Sequence, residues 1–168
     1  MSFDLYFAGA KNKVADKYLI EHGANRLCSQ LLDRRNIQDW INCKSNTSKL
    51  FIDSGAYTAY TKGIELDVDS YISYLNSITE HCTIFAQLDT IPGQMGRPKT
   101  REEKLLAPKL SWDNYLYMRK RLEEPQKLIP IFHQGEDYKW LHNMLEWVDE
   151  NGKNRRSEER RVGKECRS

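Results

Sequence analysis

The sequence has no long hydrophobic run and no targeting segment. Nothing in its 168 residues approaches the roughly 20-residue apolar stretch that a membrane span requires. Residues 1–7 lack the basic segment, apolar stretch and cleavage site of a signal peptide. We therefore expect a cytoplasmic protein without a membrane partner.

Phosphate-binding glycine loops and metal-binding cysteine pairs are also missing. No GxGxxG or GxxxxGK spacing occurs, which disfavours a nucleotide-cofactor fold. The sequence has 4 cysteines and no CxxC pair, so we expect reduced, small buried residues at Cys28, Cys43 and Cys82. His81 and Cys82 are too few for a metal site, which needs three or four ligands. We predict no metal or cofactor site in this chain.

The last residues, 156–168, read RSEERRVGKECRS, and this run resembles the in-frame translation of a common sequencing adapter over its whole length. It contains five of the 26 Lys and Arg and three of the 24 Asp and Glu, so its removal leaves 21 of each. The net charge of +2 then comes from the tail. We expect residues 1–155 to be native and 156–168 to be a non-native tail. A solvated basic tail or a nucleic-acid-binding arm is the alternative.

The composition, 39% hydrophobic and 11% aromatic, is that of an ordinary globular domain. Short apolar runs at residues 5–10, 49–53, 83–89 and 128–134 predict strands. Helices are predicted at 14–22, 26–32, 68–81, 112–123 and 138–148, with Ser111 and Asp137 as N-caps of the last two and a solvated helix start at 100–104. This alternation predicts an α/β fold with parallel strands. Half of an eight-unit barrel and an open doubly wound sheet both fit the pattern.

Polar side chains end three of the predicted strands: Asp53, Asp89 and Gln134. The carboxyl ends of parallel strands share one face of a barrel, so residues distant in sequence meet there. Two carboxylates and an amide on one rim predict a site. Each carboxylate also has a structural explanation, because an Asp before a turn often accepts a backbone N–H. Gln134 also has a structural explanation, because its side chain can simply form a hydrogen bond to a neighbouring loop.

Three sequence words resemble blocks of the tRNA-guanine transglycosylase family, in the family's order. They are FIDSGAY at 51–57, AQLD at 86–89 and PIFHQGEDY at 130–138. Ala56, Tyr57 and Thr58 depart from the usual DSGGFQ form. With these changes the words look more like the phage and bacterial branch called deoxypurine-in-DNA protein A. The resemblance implies a (β/α)8 TIM barrel of which this chain is roughly the first half.

The same resemblance implies base exchange, in which guanine in nucleic acid is replaced by a 7-deazaguanine. DNA is the expected partner, and tRNA is the alternative. Asp53 would be the general acid and base, and Asp89 would accept both guanine donors, since an ionised carboxylate accepts two hydrogen bonds at once. The other substrate-binding residues implied are Ser54, Gly55, Tyr57, Gln134 and Gly135.

In that family the nucleophilic Asp and the zinc-binding cysteines come later in the chain. Zinc is therefore expected only in the missing C-terminal part, and we expect the fragment itself to be inactive. Two other interpretations stay open. A glycoside hydrolase also places two carboxylates beside a sugar linkage, and the chain could be an inert binding or folding remnant.

Overall fold

The computed structural model describes residues 4–9, 13–44 and 47–147. The predicted tail, residues 156–168, lies outside these ranges. The chain divides into two compact units, Met1–Ile131 and Phe132–Ser168, and each is described by itself.

Strands and helices alternate along the first unit. The strands are β1 (Tyr6–Phe7), β2 (Asn25–Ser29), β3 (Leu50–Asp53), β4 (Ile84–Ala86) and β5 (Leu128–Ile129). The helices are α1 (Lys13–Glu21), α2 (Arg34–Cys43), α3 (Ala56–Lys62), α4 (Val68–Ser77) and α5 (Arg101–Arg119), with short 3-10 helices at Thr79–His81 and Pro125–Lys127.

The five strands form one sheet in which every described pair is parallel and the spatial order is β1-β2-β3-β4-β5. A doubly wound sheet reverses its strand order at a switch point, and no reversal occurs among these strands. Consecutive order is the order of a (β/α)8 barrel. The predicted α/β class is therefore confirmed, and the sheet is compatible with part of such a barrel.

The two faces of the sheet differ in burial. Cys28, Ile52, Phe85 and Leu128 lie in register on neighbouring strands and are at most 1% exposed. They belong to a core that also contains helix residues, among them Trp40, Leu75 and Met118.

The strand residues that alternate with these core residues are only half-buried: Leu27, Phe51 and Ile84. Side chains alternate between the faces of a strand, so Asp53 lies on the Phe51 face.

The prediction of a helix at 26–32 was wrong, because residues 25–29 form β2. The charge of Arg26 hides the strand pattern in the sequence. In the structure Arg26 is 2% exposed, and its guanidinium pairs with the carboxylate of Asp16 at 2.7 Å. The strand is therefore buried despite its charge. Helices α2 and α3 were not predicted.

Helix α5 begins eleven residues earlier than the predicted start at residue 112. Thr100 caps it with a reciprocal capping box to Glu103, which confirms the predicted helix start at 100–104. Ser111 is therefore not an N-cap. It lies inside the helix, where its hydroxyl accepts a hydrogen bond from the Thr90 backbone N–H at 2.8 Å.

The second unit contains one described helix, α6 (Tyr138–Glu146). The Asp137 carboxylate accepts a hydrogen bond from the Lys139 N–H, which confirms Asp137 as the N-cap of α6. The strand predicted to reach residue 134 ends at Ile129 instead. Gln134 and Gly135 lie in a turn before α6.

Two of the cysteine predictions hold. Cys28 and Cys82 are buried, whereas Cys43 is exposed; all three are free thiols.

Candidate active site

The turn that follows β3 fixes the first predicted site residues. One oxygen of Asp53, Oδ2, accepts a hydrogen bond from the Gly55 N–H at 2.9 Å. The Ser54 hydroxyl, buried within the turn, accepts from the Ala56 N–H at 3.2 Å. The turn-bracing role considered for Asp53 is thus present, and it uses one of the two carboxylate oxygens.

Gly55 is required by this turn for two reasons. Its φ of +77° lies in the left-handed region, which residues with a Cβ rarely adopt. A Cβ at this position would also lie 2.7 Å from the Ser29 hydroxyl oxygen and 2.8 Å from the Leu31 Cβ. A side chain at residue 55 would therefore force Ser29 or Leu31 to shift as well as straining the backbone.

A hydrogen bond connects this turn with the end of β4. The Ser54 hydroxyl donates to Oδ1 of Asp89 at 3.2 Å. Asp53 ends β3 and Asp89 follows the neighbouring parallel strand β4, so both residues lie at the same edge of the sheet. The structure thus brings Asp53, Ser54 and Asp89 together.

The environment of Asp53 favours its protonated form. Burial raises the pKa of the Asp53 carboxyl, the N–H of Gly55 opposes the rise, and the negative charge of Asp89 adds to it. Asp33, whose carboxylate accepts from the Ser29 N–H, raises the pKa of Asp53 further. A proton is therefore held more readily on Asp53 than on an ordinary aspartate.

Side chains from α4 and α5 hold the segment that carries Asp89. The Asn114 amide donates to the Leu88 carbonyl at 2.9 Å, and Ser111 accepts from Thr90. The buried Tyr71 hydroxyl donates to the Ala86 carbonyl at 3.0 Å. These supporting contacts were not predicted from the sequence. Their only signal was the spacing of Ser111 and Asn114, which places both on one face of a helix.

A cavity of about 330 Å³ opens beside Asp89. Asp89 and Asn114 supply polar groups to it, and Tyr60 supplies an aromatic ring. The ammonium of Lys99 lies over that ring, 5.5 Å from its centre. The apolar part of the lining includes Ala56, Ala59, Leu66, Leu88 and Ile91. A few polar groups among apolar walls are typical of small-molecule sites.

Of the predicted site residues in the first unit, Asp89 alone lines this cavity; Asp53, Ser54, Gly55 and Tyr57 do not. Tyr57 is 68% exposed, so its stacking on a base stays a prediction. Gln134 and Gly135 belong to the second unit, and their contact with a base also stays a prediction. Gly135 has a φ of +92°, and a Cβ there would meet nothing within 4 Å.

Among the described residues, no group of three or more His, Cys, Asp or Glu is placed to hold a metal ion. The helices in the described part of the chain are all too short or too polar to cross a membrane. Comparisons with protein-family models, curated proteins and solved structures gave no match.

Proposed function

We propose that this chain is part of a base-exchange glycosyltransferase, a transglycosylase that replaces guanine in nucleic acid with a 7-deazaguanine. DNA is the proposed substrate, and tRNA is the alternative. The observation that supports the proposal is the hydrogen bond from Ser54 to Asp89, formed directly after Asp53 at the carboxyl ends of two neighbouring strands.

Asp89 binds the guanine base. Guanine presents N1–H and its exocyclic amine side by side, and an ionised carboxylate accepts both. The cavity beside Asp89 offers apolar walls for the faces of the ring. The hydrogen bond from Ser54 orients the Asp89 carboxylate before the base arrives.

Asp53 transfers the proton. Departure of guanine from its sugar requires a proton on the leaving base, and a carboxyl group with a raised pKa keeps its proton to a higher pH than an ordinary aspartate. The ionised Asp53 then takes a proton from the incoming base. One residue thus serves both halves of the exchange.

The step at the sugar needs a nucleophile. Exchange without net hydrolysis is best served by a covalent sugar–carboxylate intermediate, which splits one difficult step into two. The family resemblance assigns that nucleophile, and a zinc site, to sequence outside this chain. The family resemblance also assigns base recognition to Gln134 and Gly135, and this assignment stays a prediction. The target nucleotide must first leave its helical stack, which costs a few kcal/mol.

Guanine binding tests the recognition step. We expect the full chain to bind guanine in calorimetry, and Asp89→Asn to weaken the affinity by about tenfold or more, because the amide presents a donor towards a donor. Hypoxanthine, which lacks the exocyclic amine, should bind more weakly than guanine. Asp113→Asn, at an exposed aspartate paired with Lys109, is the matched control. Equal guanine binding by the Asp89 and Asp113 variants would contradict the proposal.

An exchange assay separates the candidate functions. We expect the chain alone to incorporate no labelled 7-deazaguanine into DNA or tRNA, because the proposed nucleophile is outside it. Incorporation would place the nucleophile inside the chain, with Asp89 as the first candidate. Release of free sugar from an oligosaccharide would support a glycoside hydrolase instead.

A further inference from the structure

A cationic loop follows Asp89 at the carboxyl edge of the sheet, and the recognition of guanine by Asp89 does not use it. The loop comprises residues 90–99 and is called the β4–α5 loop. It contains Arg97 and Lys99 and no Asp or Glu. It ends where Thr100 caps α5. Loops at this edge form the functional face of parallel α/β domains, so the charges of the loop affect what the site binds.

Arg97 holds the β4–α5 loop in place. Its guanidinium donates to both carboxylate oxygens of Glu103, at 3.0 Å for Oε2. Glu103 also accepts a hydrogen bond from the Thr100 N–H at 2.9 Å. Arg97 thus ties the loop to the first turn of α5, and its positive charge is neutralised by Glu103.

Lys99 is the second cation of the loop, and its charge is not neutralised in this way. Its ammonium lies 5.5 Å from the centre of the Tyr60 ring, and no carboxylate in the described part of the chain pairs with it. An aromatic ring attracts an ammonium through its quadrupole and leaves the charge of the ammonium intact. Tyr60 lines the cavity beside Asp89. Lys99 therefore places a positive charge next to a wall of that cavity.

The cavity beside Asp89 suits a base better than a phosphate. Its volume of about 330 Å³ is near the lower limit of the roughly 300–1,000 Å³ of small-molecule sites. A phosphate inside it would lie among apolar side chains, and the carboxylates of Asp89 and Glu65 in its lining would repel the negative charge. A nucleotide whose base occupies the cavity therefore keeps its phosphate outside, and Lys99 supplies a positive charge there.

We propose that Lys99 binds the phosphate of the target nucleotide while the base occupies the cavity beside Asp89. The inference rests on the proposed function, because it takes guanine to be bound at Asp89, and it adds that the site recognises a nucleotide rather than a free base. The lysine stem is flexible, so the ammonium can move from the Tyr60 ring to a phosphate oxygen. A charge-assisted hydrogen bond to phosphate is stronger than an exposed cation–π contact. Lys99 thus positions the backbone, and Asp89 reads the base.

Calorimetry of the full chain with guanosine 5′-monophosphate and with guanosine tests the inference. The two ligands differ only in the phosphate, so the ratio of their affinities isolates its contact. We expect the monophosphate to bind about fivefold or more tightly than guanosine, and Lys99→Gln to remove most of this advantage. Lys99→Arg keeps the charge and should retain the advantage. Lys109→Gln, at an exposed lysine paired with Asp113, is the matched control and should retain it too.

Salt dependence gives a second readout, which a merely structural role of Lys99 would not change. The affinity for a single-stranded oligonucleotide that contains one guanine should fall as the salt concentration rises. Lys99→Gln should make the slope of log K against log salt shallower by about 0.7, the value for one phosphate contact on a single strand. Lys109→Gln should leave the slope unchanged.

Thermal melting shows whether each variant is folded; if Lys99→Gln is not, the affinity ratios of the unchanged protein and of Lys99→Arg decide. Equal affinities for the monophosphate and guanosine, or an advantage that survives in Lys99→Gln, would overturn the inference while guanine binding at Asp89 stands. Inorganic phosphate that binds as tightly as the monophosphate would show a general anion site and would also overturn it. If guanine, guanosine and the monophosphate all fail to bind, the proposed function fails first, and this inference fails with it.

Discussion

The hydroxyl of Ser54 donates a hydrogen bond to Oδ1 of Asp89, although 35 residues separate them in the chain. The same hydroxyl accepts from the Ala56 N–H, so one buried oxygen joins the start of α3 to the end of β4. Asp89 is therefore held by the turn that also carries Asp53. Removal of this hydroxyl should affect binding more than folding.

We expect Ser54→Ala to weaken guanine binding by about fivefold, because the loss of one hydrogen bond that orients the carboxylate costs about 1 kcal/mol. Calorimetry of the full chain measures the effect. Ser73→Ala is the matched control, since the Ser73 hydroxyl bonds only the Asp69 carbonyl on the exposed face of α4. Equal guanine affinities in the two variants would show that Ser54 does not position Asp89.

Gly55→Ala should destabilise the fold by about 2–4 kcal/mol, because it adds both left-handed strain and a clash with Ser29 and Leu31. Gly63→Ala separates these causes. Gly63 also has a positive φ, +64°, but a Cβ there meets nothing within 4 Å, so a cost of about 1 kcal/mol is expected. Urea unfolding of both variants gives the comparison. Similar losses at the two positions would mean that the close approach at Gly55 relaxes freely.

Asp53→Asn should raise the melting temperature at pH 7 by a few degrees. The folded-state pKa of Asp53 is raised above its ordinary value of 3.8, mainly by burial. Its contribution to stability is therefore full below the ordinary pKa and is lost as the pH rises through the folded-state pKa. Asparagine does not ionise, so this loss of stability does not occur, and its side-chain oxygen can still accept the hydrogen bond from the Gly55 N–H. Melting curves across the acidic range should show that the difference in melting temperature between Asp53→Asn and the unchanged protein shrinks towards pH 3.8. A difference that grows on acidification would contradict the raised pKa of Asp53.

The Arg26–Asp16 ion pair predicts a large effect from a single removal. Asp16→Asn leaves the guanidinium of Arg26 buried without its carboxylate and should cost about 3–5 kcal/mol in unfolding free energy. The double change Asp16→Leu with Arg26→Met should recover much of that loss, since no charge is left buried. At the exposed pair of Lys109 and Asp113, Asp113→Asn should cost less than about 1 kcal/mol. Equal losses for Asp16→Asn and Asp113→Asn would show that the buried pair is solvated.

The sequence by itself determined the fold class and the edge at which the candidate site lies. Apolar runs ending in Asp53 and Asp89 predicted parallel strands, and parallel strands bring their carboxyl ends to one edge. The helix starts at Thr100 and Asp137 were also predictable, because a cap is a local arrangement of a side chain and nearby N–H groups.

Only the tertiary structure decided which residues support that site. Arg26 concealed β2 because a charged residue is buried in a strand only when a distant partner such as Asp16 neutralises it. Ser111 had the sequence signature of a helix cap, and its contact with Thr90 places it inside a longer helix instead. The hydrogen bond from Ser54 to Asp89 depends on how neighbouring strands and helices pack. Hydrophobic periodicity records which residues are buried, but not the partners that they meet across the fold.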